Sequence, residues 1–351
     1  MRLALNVGHF GMGFDGESIA LVQEAERLGY RVVWAAEAYG SDVISVLSWI
    51  GAQTSTIGLG SGVMQIPART PAMTAMTAAT VDTLSGGRFH LGLGVSGPQV
   101  SEGWHGVRFA EPLGRTREYV DIVRRVLRRD QLDYAGRHYV LPLPDGPGKA
   151  LRLSMRPPRA DLPIYLAAVG PKNLELTGEI ADGWLAIFHA PEHADIPMAS
   201  IAAGLARRDP KGPRAAFDVC ATVPVVVTDD LDAGRAAIAP YAALYIGGMG
   251  PRERNFYNQL AVRMGFDEAA QQIQDLYLAR QHRDAAAAVP AAFLDQTSLI
   301  GPVDHIADRL AAYRDSGVTT LAVSPYAPDL ASRIAMVRGV AEALDRSGLG
   351  D

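Results

Sequence analysis

Apolar positions along the first ninety residues follow one repeating pattern, a short continuous run followed by a stretch with helical spacing. The runs begin near Arg2, Arg31, Ile57 and Arg88. In the first helical stretch the apolar residues of 21–28 fall on one face, with Asp15 as the predicted N-cap and Gly29 as the closing residue. Asp42 and Pro71 open two further predicted helices. This strict alternation of strands and helices predicts a parallel sheet.

Four more apolar or β-branched runs complete the predicted sheet. They span residues 163–168, 183–188, 218–227 and 319–324. Eight such strands predict a closed (β/α)8 TIM barrel, and 351 residues fit one such domain with insertions. The insertions are predicted at about 130–162 and 229–299, the second with two helical stretches, because both segments break the alternation. A final helix from Leu330 to about Leu344 is predicted to pack on the outside of the barrel.

Composition excludes several other classes of protein. Hydrophobic residues form 48% of the chain and charged residues 20%, which permits a large core. The formal net charge of −5 leaves no basic surplus for phosphate backbones, so nucleic acid is not an expected partner. No apolar stretch reaches membrane-spanning length, and the N-terminal run is too short for a signal peptide, so we expect a cytoplasmic protein without membrane contact. Cys220 is the only cysteine, which excludes disulfide frameworks and thiolate metal clusters.

Ionisable and phenolic side chains follow the first two predicted strands, at the carboxyl ends where the active sites of such barrels lie. His9 ends the first strand, and Glu37 and Tyr39 end the second. An imidazole, a carboxylate and a phenol can each pass a proton to or from a substrate. The alternatives are local hydrogen bonding for His9 and a structural ion pair to a neighbouring strand end for Glu37.

Glycines crowd the next two strand ends. Residues 57–63 read Ile-Gly-Leu-Gly-Ser-Gly-Val, and residues 91–98 read Leu-Gly-Leu-Gly-Val-Ser-Gly-Pro. A buried strand would favour β-branched side chains at these positions. Gln65, Pro67 and Arg69 follow the first segment. The pattern indicates a flat ring resting on the strand ends, or else tight packing inside the barrel.

The loop after the fifth strand, residues 169–173, reads Val-Gly-Pro-Lys-Asn and leads into a predicted helix. Free amides at a helix N-terminus bind anions and Lys172 adds a positive charge, so a phosphate is the expected ligand; an ordinary strand-to-helix turn is the alternative. No Gly-x-Gly-x-x-Gly follows the first strand, and no P-loop is present. Pro191 lies between His189 and His193 and argues against a helical pair of metal ligands, so no metal is expected.

At these strand ends the sequence resembles the bacterial luciferase-like superfamily, and within it the F420-dependent oxidoreductases. The resemblance covers almost the whole chain and rests on residues 34–42, 58–63, 84–94, and 170–173 with 181–184. It implies a single luciferase-like TIM barrel that binds a flavin-type cofactor, with coenzyme F420 expected and FMN the alternative. It also implies a non-prolyl cis peptide at Gly62-Val63 under the ring, and the cofactor phosphate at the loop after the fifth strand. The residues implied to contact the cofactor are Glu37, Ala38, Ser61, Gly62, Val63, Gly94, Ser96, Val169, Gly170, Pro171, Lys172 and Asn173.

One position departs from the pattern of this family. Its sugar-phosphate and alcohol dehydrogenases carry an acidic residue followed by histidine at the end of the second strand, whereas here Glu37 is followed by Ala38 and Tyr39. The usual histidine base is absent, which favours reduction of an activated double bond over alcohol oxidation. We expect hydride transfer between the deazaflavin and a small organic substrate, with Glu37, Tyr39 and His9 as candidates for a proton relay. The alternatives are an FMNH2-dependent luciferase-like monooxygenase and a flavin-binding protein without a substrate pocket.

Two predictions concern the insertions. The second insertion is predicted to form a lid over the substrate, or else a packed helix at the surface of a homodimer. The residues concerned are Met249, Asn255, Phe256, Tyr257 and Asn258. Basic residues of the first insertion are predicted to line, with Lys172, a groove for the anionic tail of F420, a solvated surface being the alternative. They are Arg152, Arg156 and Arg159.

Overall fold

The computed structural model describes residues 1–8, 18–209 and 216–350. Eight of the strands in this part of the chain form a closed parallel barrel. The strands are β1 (Arg2–Gly8), β2 (Val32–Ala35), β3 (Gly58–Ser61), β4 (Met64–Gln65), β5 (Phe89–Gly94), β6 (Tyr134–Ala135), β7 (Val140–Leu141), β8 (Ile164–Ala167), β9 (Gly183–Ile187), β10 (Asp218–Val227), β11 (Leu299–Gly301) and β12 (Thr320–Pro325). β1 pairs with β2 on one side and with β12 on the other, which closes the order β1-β2-β3-β5-β8-β9-β10-β12. The predicted (β/α)8 barrel is confirmed.

Helices follow the barrel strands and surround the sheet. They are α1 (Ile19–Arg27), α2 (Val43–Gly51), α3 (Pro71–Leu84), α4 (Pro98–Gly103), α5 (Pro112–Leu127), α6 (Pro171–Ile180), α7 (Asp195–Leu205), α8 (Leu231–Ala243), α9 (Phe256–Arg263), α10 (Asp267–Leu278), α11 (His282–Ala287), α12 (Ala291–Thr297), α13 (Val303–Asp315) and α14 (Leu330–Ser347). Asp42 accepts a hydrogen bond from the Ser45 amide (2.7 Å) and caps α2, as predicted. Gly29 has a φ of +81°, as expected for a residue that closes a helix, whereas the predicted cap Asp15 lies outside the described residues. None of these helices is both long and apolar enough to cross a membrane.

One layer of side chains fills the barrel at the level of the strand middles. It consists of Ala4, Val32, Trp34, Tyr165, Leu185, Cys220 and Ala322. The Trp34 ring lies so close to β3 that a Cβ on Gly60 would stand 2.3 Å from the ring carbon Cε3. Packing inside the barrel therefore requires a glycine at position 60. For Gly60 this is the second of the two explanations given in the sequence analysis, tight packing and not a bound ring.

The first insertion forms the hairpin β6–β7 beside α5. The Glu118 carboxylate of α5 accepts hydrogen bonds from the amides of Arg137 (2.8 Å), His138 (2.9 Å) and Tyr139 (3.0 Å). Three amide donors on one carboxylate fix the hairpin against the helix.

The second insertion is helical, from α8 to α12, and has an apolar cluster of its own. Phe188, which follows β9, lies at the centre of an aromatic group with ring centroids 5.4–6.4 Å away. The other rings are Tyr241, Tyr245, Tyr257 and Phe293. β11 then extends the sheet beside the end of β10. The insertion is thus attached to the carboxyl end of the barrel, where ligand sites of this fold lie.

Candidate active site at the carboxyl end of the barrel

A recess opens at the carboxyl end of the barrel because most side chains of the second inward-facing layer are small. Side chains alternate between the two faces of a strand, so each residue two positions beyond the packed layer also faces the interior. These residues are Asn6, Ala36, Gly94, Ala167, Ile187, Thr222 and Ser324. All of them except Gly94 are partly exposed, whereas the layer beneath is buried. A space one layer deep therefore lies over the packed core.

Val63 forms one side of the recess floor and packs on Gly94. A Cβ on Gly94 would stand 2.7 Å from Val63 Cγ2. The peptide bond Gly62-Val63 is cis, as predicted, and the Val63 carbonyl accepts a hydrogen bond from the Glu37 amide (3.3 Å). Ser61 is buried, and its hydroxyl donates to a backbone carbonyl of β5 (2.9 Å). The residues after β3 and at the end of β5 that were predicted to contact the cofactor ring thus lie together at one edge of the recess. The Ser61 side chain lies beneath them.

Glu37 is held in an ion pair at the rim of the recess. Arg69 Nη1 donates to Oε1 (2.5 Å) and Nη2 to Oε2 (3.1 Å). The amides of Gln65 (2.9 Å) and Val43 (3.2 Å) donate to the same carboxylate. Arg69 also pairs with Asp42, the N-cap of α2. Glu37 therefore forms the structural ion pair that the sequence analysis gave as the alternative to a catalytic role. A role for Glu37 in proton transfer stays a prediction.

Several polar side chains near the recess were not among the predicted site residues. Asn6 Nδ2 donates to the Ser324 hydroxyl (2.9 Å), and His105 Nε2 lies 2.9 Å from Gln65 Oε1. Strand alternation indicates Asn6 and Ser324, since each lies two residues beyond a buried alanine. Nothing in the sequence places His105 beside Gln65, because forty residues separate them.

Two strand ends carry residues in the left-handed backbone region. Ser96, which follows β5, has a φ of 59°, and Phe188, which follows β9, has a φ of 50°. Residues other than glycine rarely adopt this region, and such exceptions concentrate at functional sites. Ser96 was a predicted cofactor contact, whereas Phe188 has no sequence signal beyond its place after a strand.

The predicted phosphate loop leads into α6. Gly170 is its N-cap position, Pro171 has no N–H, and the amides of Asn173 and Leu174 donate to the Gly170 carbonyl (3.0 Å each), which leaves the Lys172 amide as the one first-turn donor not bonded within this turn. A Cβ on Gly170 would meet no heavy atom within 4 Å, so open space lies beside this residue. The Lys172 side chain is 78% exposed and pairs with Glu175 (2.9 Å). Arg263 of α9 reaches the same loop and donates to the Val169 carbonyl (3.2 Å).

The relay candidates lie apart from one another. Tyr39 is 64% exposed on the rim. Burial raises the pKa of Tyr245 in the second insertion, and the charge that Tyr39 would carry adds to that rise. Ala38 is half-buried between Glu37 and Tyr39. His9 lies outside the described residues.

Three of the predicted lid residues, Asn255, Tyr257 and Asn258, are packed into the second insertion. Asn255 is 1% exposed. Its Oδ1 accepts from the amides of Tyr257 (2.9 Å) and Asn258 (3.1 Å), and its Nδ2 donates to the carbonyls of Tyr245 and Ile246 (2.9 Å each). The rings of Tyr257 and Tyr245 pack edge to face, with centroids 4.8 Å apart. These contacts favour the packed-helix alternative.

The predicted position of Arg159 in a groove for the cofactor tail is wrong. Its guanidinium pairs with the buried Asp82 and donates to the Phe89 carbonyl (2.6 Å), at the start of β5. That is the amino end of the barrel, opposite the recess. Arg152 and Arg156 are exposed on the same segment.

Fold and recess together define a (β/α)8 barrel with its ligand site at the carboxyl ends of the strands. The sequence matches the luciferase-like monooxygenase family over residues 16–320. It is 44% identical over 329 residues to a putative coenzyme F420-dependent oxidoreductase of Mycobacterium tuberculosis, covering 92% of this chain and 95% of that protein. It is 30% identical over 320 residues to the 5,10-methylenetetrahydromethanopterin reductase of Archaeoglobus fulgidus, covering 90% and 92%.

A solved structure shares the fold along the whole chain. The coenzyme F420-dependent tetrahydromethanopterin reductase of Methanopyrus kandleri superposes with a TM-score of 0.80 at 24% identity, over 97% of both chains. The chain therefore belongs to the luciferase-like monooxygenase family, among its coenzyme F420-dependent oxidoreductases, as the resemblance predicts.

Proposed function

We propose that this enzyme transfers a hydride between coenzyme F420 and a small organic substrate, in the direction that reduces an activated double bond. The observation that carries the proposal is the recess over the packed core, where Ala36, Gly94, Ala167 and Ser324 leave space. A flat tricyclic ring needs such a space, and larger inward residues at the same level would fill it. The relative of Mycobacterium tuberculosis with coenzyme F420 in its name matches 92% of this chain at 44% identity.

The described residues fit the two ends of the cofactor. Val63 on Gly94 gives an apolar surface for the ring, with Ala38 and Ser96 at its edge. Open space beside Gly170 and the Lys172 amide at the start of α6 suit a phosphate, and Pro171 and Asn173 complete that turn. When bound, the deazaflavin supplies a carbon that gives or takes a hydride.

Reduction of a double bond consumes one hydride and one proton, so a proton donor is required beside the recess. Glu37 has its carboxylate oxygens bonded to Arg69 and two amides. We assign Glu37 the role of holding the residues at the rim of the recess in place. Tyr39, whose phenol is exposed at the rim, is assigned the role of proton donor: the hydride adds to one carbon of the double bond, and Tyr39 protonates the other.

The direct test is oxidation of reduced F420 in the presence of a panel of enones, imines and quinones. We expect turnover with at least one of these classes, and Tyr39→Phe should lower kcat by about 10²-fold with little change in F420 affinity. Oxygen consumption with FMNH2, and no turnover with reduced F420, would instead support the monooxygenase alternative. F420 binding without turnover of any substrate would support a binding protein.

We also propose that the chain acts as one domain in a cytoplasmic homodimer. The outer face of α3 carries Met73 (51% exposed) and Met76 (48% exposed), apolar side chains that a second copy would cover. Light scattering should give twice the mass of 37.4 kDa, and Met73→Lys with Met76→Lys should give the monomer.

A further inference from the structure

Arg263 is a half-buried cation without a counter-ion. Its Nη2 donates to the Val169 carbonyl (3.2 Å), and among residues 1–8, 18–209 and 216–350 no carboxylate forms an ion pair with it. Burial lowers the pKa of its guanidinium, and no acidic neighbour opposes the shift. A charge removed from water without an opposite charge is costly, and a bound anion would offset that cost.

An apolar cleft lies directly beside Arg263. Val169 and Trp184 line one side of it, Ile187 and Phe188 another, and Leu260 and Met264 of the second insertion a third. Ile187 also faces the recess, so the cleft and the recess are neighbours.

The ionisable side chains that line this cleft leave only one permanent charge. They are Arg263, His189 and His193, and no acidic residue lines the cleft. His189 is neutral near pH 7, because burial lowers its pKa to about 4. The cleft therefore combines apolar walls with a single fixed positive charge at one end.

We propose that this cleft is a binding site for an anionic amphipathic small molecule, with its carboxylate on Arg263 and its apolar body between Phe188, Leu260 and Met264. The site borders the cofactor phosphate loop of the proposed function, because Val169 and Pro171 line the cleft, but its charge is the Arg263 guanidinium and not a loop amide. The apolar walls favour an aliphatic or aromatic ligand over the hydrophilic tail of F420, which would leave its polar groups unpaired there.

The test is titration calorimetry of the full chain without cofactor, with decanoate and 1-decanol as probes of equal chain length. We expect decanoate to bind at least tenfold more tightly than decanol, since only decanoate can pair with the guanidinium. Arg263→Met should remove that difference, and Arg263→Lys should keep part of it. Arg254→Met, which removes an exposed arginine of the same insertion, should leave it unchanged.

Two results would overturn the proposal. Equal binding of decanoate and decanol by the unmodified protein would exclude an anion site, whatever the variants do. Loss of F420 affinity in Arg263→Met with decanoate binding unchanged would assign Arg263 to the cofactor instead. Failure of the unmodified protein to bind F420 would contradict the proposed function but not this site, because the decanoate titration contains no cofactor.

Discussion

Arg69 neutralises the buried carboxylate at the rim of the recess. The side-chain exposure is 7% for Glu37 and 18% for Arg69. Arg69→Met would leave the carboxylate buried with amide donors alone, and breaking a buried ion pair from one side costs about 3–5 kcal/mol. Because Arg69 is partly accessible, we expect a loss near the lower limit, about 3 kcal/mol in the free energy of unfolding in urea at pH 7.

Two further variants separate the ion pair from other effects at this position. Arg69→Lys keeps the charge but loses the forked contact, so its loss should be smaller. Adding Glu37→Gln to Arg69→Met removes the unpaired charge and should restore part of the stability. Unchanged stability in Arg69→Met would show that the ion pair does not hold Glu37, which would then be available as a base.

His90 makes the stability of the barrel sensitive to acid. It lies between the rings of Trp34 (6.2 Å) and Tyr165 (5.9 Å), and burial lowers the pKa of its imidazole to about 4. A histidine in the unfolded chain titrates near pH 6.5. Between about pH 6.5 and pH 4 the unfolded chain therefore binds a proton at this position, while the folded chain does not. Stability is therefore full above this window and falls within it, by on the order of 2 kcal/mol from pH 7 to pH 5 for this residue.

The measurement is the change in unfolding free energy from pH 7 to pH 5 for the unmodified protein and for His90→Gln. His189, whose pKa burial also lowers to about 4, supplies a matched second variant, His189→Gln. Each variant should reduce the acid sensitivity, and the double variant should reduce it most. The same pH dependence in all four proteins would contradict burial of neutral imidazoles.

The sequence indicates which strands carry glycines but not what occupies the space beside each one. Gly60 faces the Trp34 ring of the core, and Gly94 faces Val63 on the floor of the recess. The two glycines look alike in the sequence because the side chain that fills each space comes from another segment. For the same reason the sequence predicted an ion pair for Glu37 only as an alternative and did not identify its partner, Arg69, which is thirty-two residues away.

The amino end of α6 allows a test of the phosphate loop without loss of fold. Gly170 has a φ of −84°, and a Cβ there meets no heavy atom within 4 Å, so Gly170→Val is compatible with the backbone and fills only the open space. We expect this variant to weaken F420 binding at least tenfold. Lys172→Ala should weaken it by about twofold, because Lys172 is 78% exposed and already pairs with Glu175.

Cofactor fluorescence titrations of the two variants give this comparison, and their thermal unfolding serves as the control. Both variants should unfold at the temperature of the unmodified protein. Equal losses of affinity would mean that the loop acts through the charge of Lys172, and no loss in Gly170→Val would place the phosphate elsewhere.

Elements were predictable where their apolar residues face the barrel and less so where they do not. The eight barrel strands alternate with helices that pack on them, so both periods are visible in the sequence. In the second insertion five helices, α8 to α12, share their apolar residues with the cluster around Phe188 and Tyr241. Their short lengths and separate core leave no repeating period, which is why only two helical stretches are visible there.

Across the whole molecule, two cations near the recess are not among those that the sequence indicated for the tail of the cofactor. Arg159 lies at the amino end of the barrel. By contrast, Arg108 and Arg115 line a cleft with Ile66 and Val95, which follow β4 and β5 at the recess end. In the described part of the chain neither arginine forms an ion pair. Both are therefore available to the anionic part of a ligand that extends out of the recess on this side.

These positions give the preference between the two cofactors a physical basis. F420 and FMN share a tricyclic ring and a ribityl phosphate, so Val63 and the α6 loop cannot separate them, and only F420 carries a long anionic tail. If that tail contacts Arg108 and Arg115, F420 should bind at least tenfold more tightly than FMN, a difference of about 1.4 kcal/mol. The difference should shrink at high salt, because contacts between exposed charges are screened.

Titration calorimetry with both cofactors at low and high salt measures the difference in affinity. The control is the double variant Arg108→Met and Arg115→Met, in which the preference for F420 should largely disappear. Equal affinities in the unmodified protein, or FMN binding that is tighter and insensitive to salt, would favour the monooxygenase alternative.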